Sequence, residues 1–522
     1  MNTKSFIIYI IFYVVMANPV SSQELILSEK PIPLKHALFG FSTSVFENWA
    51  IVGAPQEDRG NVQSTGSAYI YRYDGEEWSI FQHIFLDEQA DFSSFGISVH
   101  ASNNQMFVGA TGDHQGAFFS GAVHFFQYND SSWIEVQKIK PNDPISGSQF
   151  GHAMSVYDST LAISAYQANG MKSKSGAVYL YRLKNNNWIQ KAKILAEDGA
   201  SNDFFGSDVS LLNSNTIAIG ARNADGNKER SGVVYIFNED EGGEWNQVAK
   251  LYNEFGDSGD LFGYKVETTR LKQGDNDESS ILLVGSPSSK HENIRTGSVF
   301  VYRESKQEQT WRLVNTLRHA SSDHNDSFGI SLAANSKGLL YVGASQSSNG
   351  LIQKTGNVYQ YNLTAILDAN TDFDDNLLEI SGTQEYDSFG YEISTYGNTL
   401  IVSSPHSDKS KSNSGEIHFF AQNSVNNEVE NSEEILGFKL SQNYPNPFNP
   451  STTITYSLPY AAEVQLFVVN VLGQKVATLI NERKTAGQHI INFDASSLSS
   501  GVYFYTLESD GFTQTYKMLL VK

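Results

Sequence analysis

The 522-residue sequence contains no cysteine. That removes disulfides, thiolate zinc sites, iron–sulfur clusters and cysteine nucleophiles together. Cations are scarce: 36 Lys plus Arg stand against 57 Asp plus Glu, a formal charge of -21. Sequence-blind binding to nucleic acid or to an anionic membrane surface needs clustered cations, so neither partner is expected. Long apolar runs are missing except over residues 6–16, which follow Lys4 and precede the small residues Ser21 and Ser22. This is the pattern of a secretory signal over residues 1–22, with cleavage between Ser22 and Gln23. The run is well short of the roughly 20 residues that span a bilayer, so no transmembrane span is expected in the mature chain. GxSxG, HExxH, P-loop and dinucleotide-binding motifs are also missing.

The charge that is present is unevenly placed. Residues 23–437 carry 29 basic and 52 acidic residues, whereas residues 438–522 carry six and five. Between them, residues 423–437 are rich in Asn, Ser and Glu, lack aromatics, and read as a solvated linker.

The acidic part repeats itself. Phe-Gly pairs stand at Phe39, Phe95, Phe150, Phe205, Phe262, Phe328 and Phe389, spaced 56, 55, 55, 57, 66 and 61 residues apart. After most pairs comes a small-residue stop such as Gly53-Ala54-Pro55 or Gly220-Ala221-Arg222, weakened to Ser164-Ala165 and Ser403-Ser404 in the third and seventh units. A Gly then opens an alternating aromatic run, as in GSAYIY from Gly66 and GAVYLY from Gly176. In five units a Trp (Trp78, Trp133, Trp188, Trp245, Trp311) begins a further alternating run. Four short period-2 segments per unit, repeated seven times, predict an all-β seven-bladed β-propeller of four-stranded blades over residues 23–422. The seventh unit stops after its third segment, so residues 25–31 are expected to supply the outer strand that closes the ring and protects its edges.

These units resemble bacterial FG-GAP repeats, relatives of the integrin α-subunit propeller. In the integrin-type copies a D-x-D-x-D-G-like loop binds calcium. Here that connection is a bare hairpin in most units, and only residues 273–280 lengthen it, offering Asp275 and Asp277. The pattern is incomplete, so these two are weak calcium candidates in what reads as a solvated acidic loop, and no cofactor is expected.

Residues 438–522 alternate strand-like runs with Pro, Gly and Asn signals and predict a small immunoglobulin-like β-sandwich of about seven strands. The stretches YPNPFNP from Tyr444, Leu472-Gly473-Gln474, Phe493-Asp494-Ala495-Ser496, Ser500-Gly501-Val502-Tyr503 and Lys517-Met518 resemble the C-terminal sorting domain of type IX secretion substrates. The resemblance implies a partner in the type IX secretion machinery, passage across the outer membrane, and removal of this domain on arrival.

No residue set announces chemistry. His124 and His418 occupy aromatic positions of the third-strand pattern, and His114, His291 and His406 fall in equivalent loops of separate units. Asp203, Asp260, Asp326 and Asp387 stand two residues before a Phe-Gly pair; turn capping is the preferred reading over a carboxylate ring at the axis. The loops between second and third strands stand out by charge, carrying Arg59, Lys172, Lys174, Lys228, Arg230, Lys290, Arg295, Lys354, Lys409 and Lys411 in an otherwise acidic module. In the second unit Phe118 and Phe119 replace the cations. These twelve residues are the candidate ligand-binding face, with mutual neutralisation by acidic neighbours as the plainer reading. The resulting expectation is an exported, non-enzymatic propeller that binds a glycan or protein at or beyond the cell surface. The alternatives are a propeller-scaffold enzyme acting on glycans and an architectural surface protein. An enzyme would need paired carboxylates in the axial mouth and a break in the symmetry, sought in residues 271–280 and 362–376.

Overall fold

The computed structural model describes residues 23–24, 36–86, 91–102, 104–114, 116–272, 278–291, 294–305, 310–319, 325–348, 353–367, 378–408, 412–421, 439–440, 443, 446–458, 462–484, 487–509 and 512–522. Residues 1–22 with Ser22, Asp275, Asp277, Lys409, Lys411 and the linker therefore lie outside the described residues. The chain divides into two units, residues 1–424 and 425–522.

Among the described residues the first unit is built from four-stranded antiparallel sheets, all but one of them strands in sequence order, with a small pair of Lys290–His291 and Ile294–Arg295 beside the fifth. The fourth is typical: Phe205–Asn213, Thr216–Ala221, Val233–Glu239 and Trp245–Leu251. Six sheets are consecutive in the chain, and the seventh pairs Ile393–Tyr396, Thr399–Ser404 and Glu416–Ala421 with Gln23–Glu24. The register is Gln23 opposite Ala421 and Glu24 opposite Phe420. The N-terminal partner strand thus begins earlier than residues 25–31, which are not among the described residues.

The sequence pattern explains how sheet meets sheet. Unbroken buried runs in the second and third strands, such as Thr160–Ala165, give each sheet two packed faces, and seven apolar clusters each draw on two neighbouring sheets. Phe107 and Phe125 of the second sheet meet Trp188 and Tyr179 of the third. Ile401, Ile417 and Phe419 of the seventh meet Phe39, Tyr71 and Trp78 of the first. Fully burying one such aromatic contributes about 1.5–3 kcal/mol. The repeated glycines lie at the closest approaches: Gly66, Gly121, Gly176, Gly232 and Gly297 form parallel bridges to Phe95, Phe150, Phe205, Phe262 and Phe328 of the next sheet, and Gly415 does so to Phe39. Where the stop carries Ser in place of Gly, the hydroxyl is used: Ser164 Oγ accepts from Ala153 N and Ser403 Oγ from Glu392 N, both at 3.0 Å.

In the second unit, a sheet of Lys439–Leu440, Ser451–Leu458 and Gly487–Asp494 shares one core with a sheet of Lys475–Lys484, Ala462–Asn470, Gly501–Ser509 and Phe512–Leu520. The proline-rich lead-in is stitched to the last strand: Phe448 N donates to Leu519 O at 3.0 Å and Asn446 Oδ1 accepts from Leu519 N at 2.8 Å.

Candidate functional site

The first strands of all seven sheets line a cavity of about 170 Å³. Laying these strands on one another from their Phe-Gly pairs shows where the repeat is broken. Three residues after the Phe stand Ser42, Ser98, Ala153, Asp208, Lys265, Ser331 and Glu392. Ser42, Ser98 and Ser331 each donate to the carbonyl of a glycine in the next sheet, Gly96, Gly151 and Gly390, at 2.9, 2.6 and 2.7 Å. Ala153 cannot make that bond, and three sheets place two acids and a lysine at the same level, the fourth sheet keeping the bond through the preceding Ser207, whose Oγ donates to Gly263 O at 3.2 Å. Lys265 Nζ lies 3.1 Å from Glu392 Oε1 and 4.0 Å from Asp208 Oδ2, and Asp208 Oδ2 also accepts from Val266 N at 2.8 Å. The triad lines both this cavity and a second, about 240 Å³, that also holds His100 and Glu267. It therefore stands between them.

The enclosure sets the protonation states. Lys265 and Glu392 keep only 22% and 21% of their side-chain surface exposed. Burial pushes Asp208 and Glu392 upward, and Lys265 pulls each back. Burial opposes the charge of Lys265, but Asp208 and Glu392 outweigh it and hold the ammonium well above its usual range. Glu267 is pushed up to about 8 by burial; Lys265 opposes the rise and the two other carboxylates add to it. Asp208 and Glu392 thus share one ammonium, and Glu267 holds its proton at neutral pH.

A test follows for Glu267. Its unfolded carboxyl titrates near 4.3, so between roughly pH 4.3 and 8 the folded chain keeps a proton that the unfolded chain has lost. Stability then falls as pH rises. His152 and His100, pushed down to about 3 and about 4, chiefly by burial, act in the opposite sense. Their effect ends near the unfolded histidine value of about 6.5. From about pH 6.5 to 8 the wild-type protein should therefore lose up to about 2 kcal/mol, less any screening by cavity water. Glu267→Gln should flatten that slope in denaturant titrations; parallel curves for the two proteins would sink the assignment.

On the side away from Glu267 the cavity is lined by Phe41, His152, Arg222, Tyr264 and Tyr391. The Arg222 guanidinium lies 5.3, 5.5 and 5.7 Å from the ring centroids of Tyr264, Tyr166 and Phe204. The His152 ring sits 4.0 Å from that of Tyr166. Arg222 directly precedes the second-to-third-strand loop of the fourth sheet, the loop of Lys228 and Arg230, so the mouth opens on the basic-loop face.

On that face the cations divide. Lys228 and Lys290 share Asp257, the latter at 3.3 Å, and Arg295 bonds the carbonyls of Gly259, Ser258 and Ser288 with Asp260 at 3.7 Å. Arg59 bonds Leu86 O at 2.6 Å over the ring of Phe85. These four are neutralised or tethered. Lys172, Lys174, Arg230 and Lys354 make no ion pair among the described residues and are exposed. Phe118 is 66% exposed, and its ring stacks at 5.0 Å on His114, which also receives the Phe119 N–H at 3.2 Å. Asp203 and Asp260 accept backbone N–H bonds from Ala200 and Asp257 at 2.7 and 2.8 Å, the capping role. His124 is buried with Nδ1 2.8 Å from Glu135, and His406 packs on Tyr391. Among the described residues no group of three or more His, Cys, Asp or Glu is placed to hold a metal ion. The symmetry breaks that sequence reasoning sought in the two insertions lie, among the described residues, inside the first strands.

Residues 34–71, 133–181, 188–237 and 378–420 match the FG-GAP repeat, and residues 442–522 match the secretion system C-terminal sorting domain. The chain carries FG-GAP repeats and a type IX sorting domain. The sorting domain implies export to the cell surface or outside the cell, and no helix among the described residues is long and apolar enough to cross a membrane. A search of curated proteins returned no match. Similar solved structures include PorZ, a surface component of the type-IX secretion system of Porphyromonas gingivalis, at 12% identity over 93% of this chain and 81% of that one, TM-score 0.29. The β-propeller domain of the Trilobed protease from Pyrococcus furiosus matches at 9% identity over 74% and 93%, TM-score 0.33. A Trypanosoma rangeli sialidase matches at 11% identity over 96% and 88%, TM-score 0.36. At such scores these likenesses bear on neither ligand nor chemistry.

Proposed function

We propose that the repeats form a closed seven-bladed propeller whose exported chain binds a glycan or protein outside the cell, without turnover, through the face on which the axial cavity opens. The observation that carries this reading is the concentration of unsatisfied surface there. Phe92, Phe118, Met171, Phe255 and Tyr386 are exposed, Phe255 at 93%, and all lie in second-to-third-strand loops or sheet-to-sheet connections. These loops and connections are tied together, for example by Phe92 N to Gln63 O at 2.9 Å and Gly259 N to Arg230 O at 3.0 Å, so they share one face. Exposed aromatics and four cations that make no ion pair among the described residues are the composition of an interaction surface rather than of an inert end.

The purified exported chain should bind members of an array of acidic and neutral polysaccharides and matrix proteins. The variant Lys172→Glu, Lys174→Glu, Arg230→Glu should lose at least about tenfold in affinity if the ligand is anionic. An array with no hit above background would leave the architectural reading in front. The enzyme reading draws support from a protonated Glu267 that shares a cavity with Asp208 and Glu392. Against it, Glu267 lines only the inner cavity and the triad stands before it.

A further inference from the structure

Two cations line the outer cavity, and they are not alike. Lys265 is held by Glu392 and Asp208, while Arg222 makes no ion pair and no side-chain hydrogen bond among the described residues. A guanidinium stacked among aromatic rings keeps its N–H edge free for an oxyanion in the ring plane. An arginine left without a counter-ion, in a chain of net charge -21, is a site for a charge that comes from outside. It has company. The hydroxyls of Tyr264 and Tyr391 and the ring nitrogens of His152 line the same cavity and have no hydrogen-bond partner among the described residues. The Tyr264, Tyr391 and Phe41 rings supply apolar faces, and Asp208 and Glu392 at the floor supply acceptors. The volume, about 170 Å³, is many times the roughly 10–15 Å³ that one water needs on this measure.

We propose that the axial mouth binds one carboxylate-bearing sugar residue of the hexuronic acid type, with its carboxylate on Arg222. Its hydroxyls meet Tyr264, Tyr391 and the floor carboxylates, and a ring face lies on the aromatic wall. A free carboxylate would use Arg222 alone; a neutral sugar would leave it unpaired, and an unpaired group in an enclosed site discriminates strongly. This deepens the reading of the face as a binding surface and rests on it.

The test is calorimetric titration of the full exported chain with D-glucuronate, D-glucose and acetate. Glucuronate should bind at least about tenfold more tightly than either of the others, and Arg222→Gln should remove at least about tenfold of that affinity, the ratio expected of a lost charge-assisted bond. Arg222→Lys, which keeps the charge but not the planar fork, should fall between. It also serves as the readout if Arg222→Gln does not fold. Equal affinities for glucuronate and glucose, acetate binding as tightly as glucuronate, an unchanged Arg222→Gln, or no binding of any of the three would each overturn the proposal. If the Lys172/Lys174/Arg230 variant loses array binding while Arg222→Gln retains it, the face reading stands and the axial subsite falls.

Discussion

Replacing Lys265 by methionine should destabilise the first unit on the order of 3 kcal/mol at pH 7. Lys265 is the ammonium at 3.1 Å from Glu392 and 4.0 Å from Asp208, with Glu267 behind them. Without it two carboxylates face each other across a small cavity with nothing to offset their desolvation, and both must take up protons or open the site to water. Removing one partner of a buried pair costs about 3–5 kcal/mol, and the residual exposure of Lys265 and Glu392 puts the value toward the low end. The companion variant Asp208→Asn, Glu392→Gln in the Lys265→Met background should recover most of the loss, because the replaced groups carry no charge. Tryptophan fluorescence in urea reports the first unit alone, since all six Trp precede residue 312. A Lys265→Met protein as stable as wild type would show that the triad is held apart by water and contributes nothing.

Gly121→Ala should be more damaging still. Gly121 has φ +84°, and an added Cβ would lie 2.0 Å from the carbonyl oxygen of Phe150 and 2.6 Å from its nitrogen. Both atoms are backbone of the next sheet, and that segment is already fixed by Phe150 N donating to Ser120 O at 3.0 Å. No side chain can move aside, so two sheets must separate. A loss of about 4 kcal/mol or more, or failure to fold, is expected. Gly75→Ala is the control: its φ is +107°, but a Cβ there meets nothing within 4 Å. It should cost about 1 kcal/mol, the backbone strain alone. If the two substitutions proved equally mild in the same urea titration, the bridges between sheets would not be the close contacts described.

The contrast between these sites explains what was legible in the sequence. Gly121 belongs to a pattern written seven times, because every sheet must approach the next through the same gap; a requirement repeated in space is repeated in the chain. Trp78, Trp133 and Trp188 are buried for the same reason. The capping of Asp203 and Asp260 could likewise be read from their recurrence. Asp208, Lys265, Glu392 and Arg222 have no such signature. Each looks like an ordinary polar residue of a short strand or stop, and what joins Asp208, Lys265 and Glu392 is a register shared between positions 57 to 184 residues apart. Alignment of the seven units on Phe-Gly, read down the third position, would have displayed two acids and a lysine among serines and alanine. Charge counting in the loops could not show how their cations are partitioned, since Asp257 lies in a neighbouring connection and quenches both Lys228 and Lys290.

The pairing of Gln23–Glu24 with Glu416–Ala421 sets the order of events during biogenesis. The partners Gln23 and Ala421 are 398 residues apart, and bringing such distant segments together carries a loop-closure entropy of roughly 5 kcal/mol. Local hairpins within each sheet can form as soon as their residues are available, whereas the seam must wait for the last repeat. Until then the seventh sheet presents an open edge, so a chain halted before residue 416 should be the aggregation-prone species and a target for holding chaperones. The seam is a checkpoint on completeness, reached only by a chain that carries every repeat.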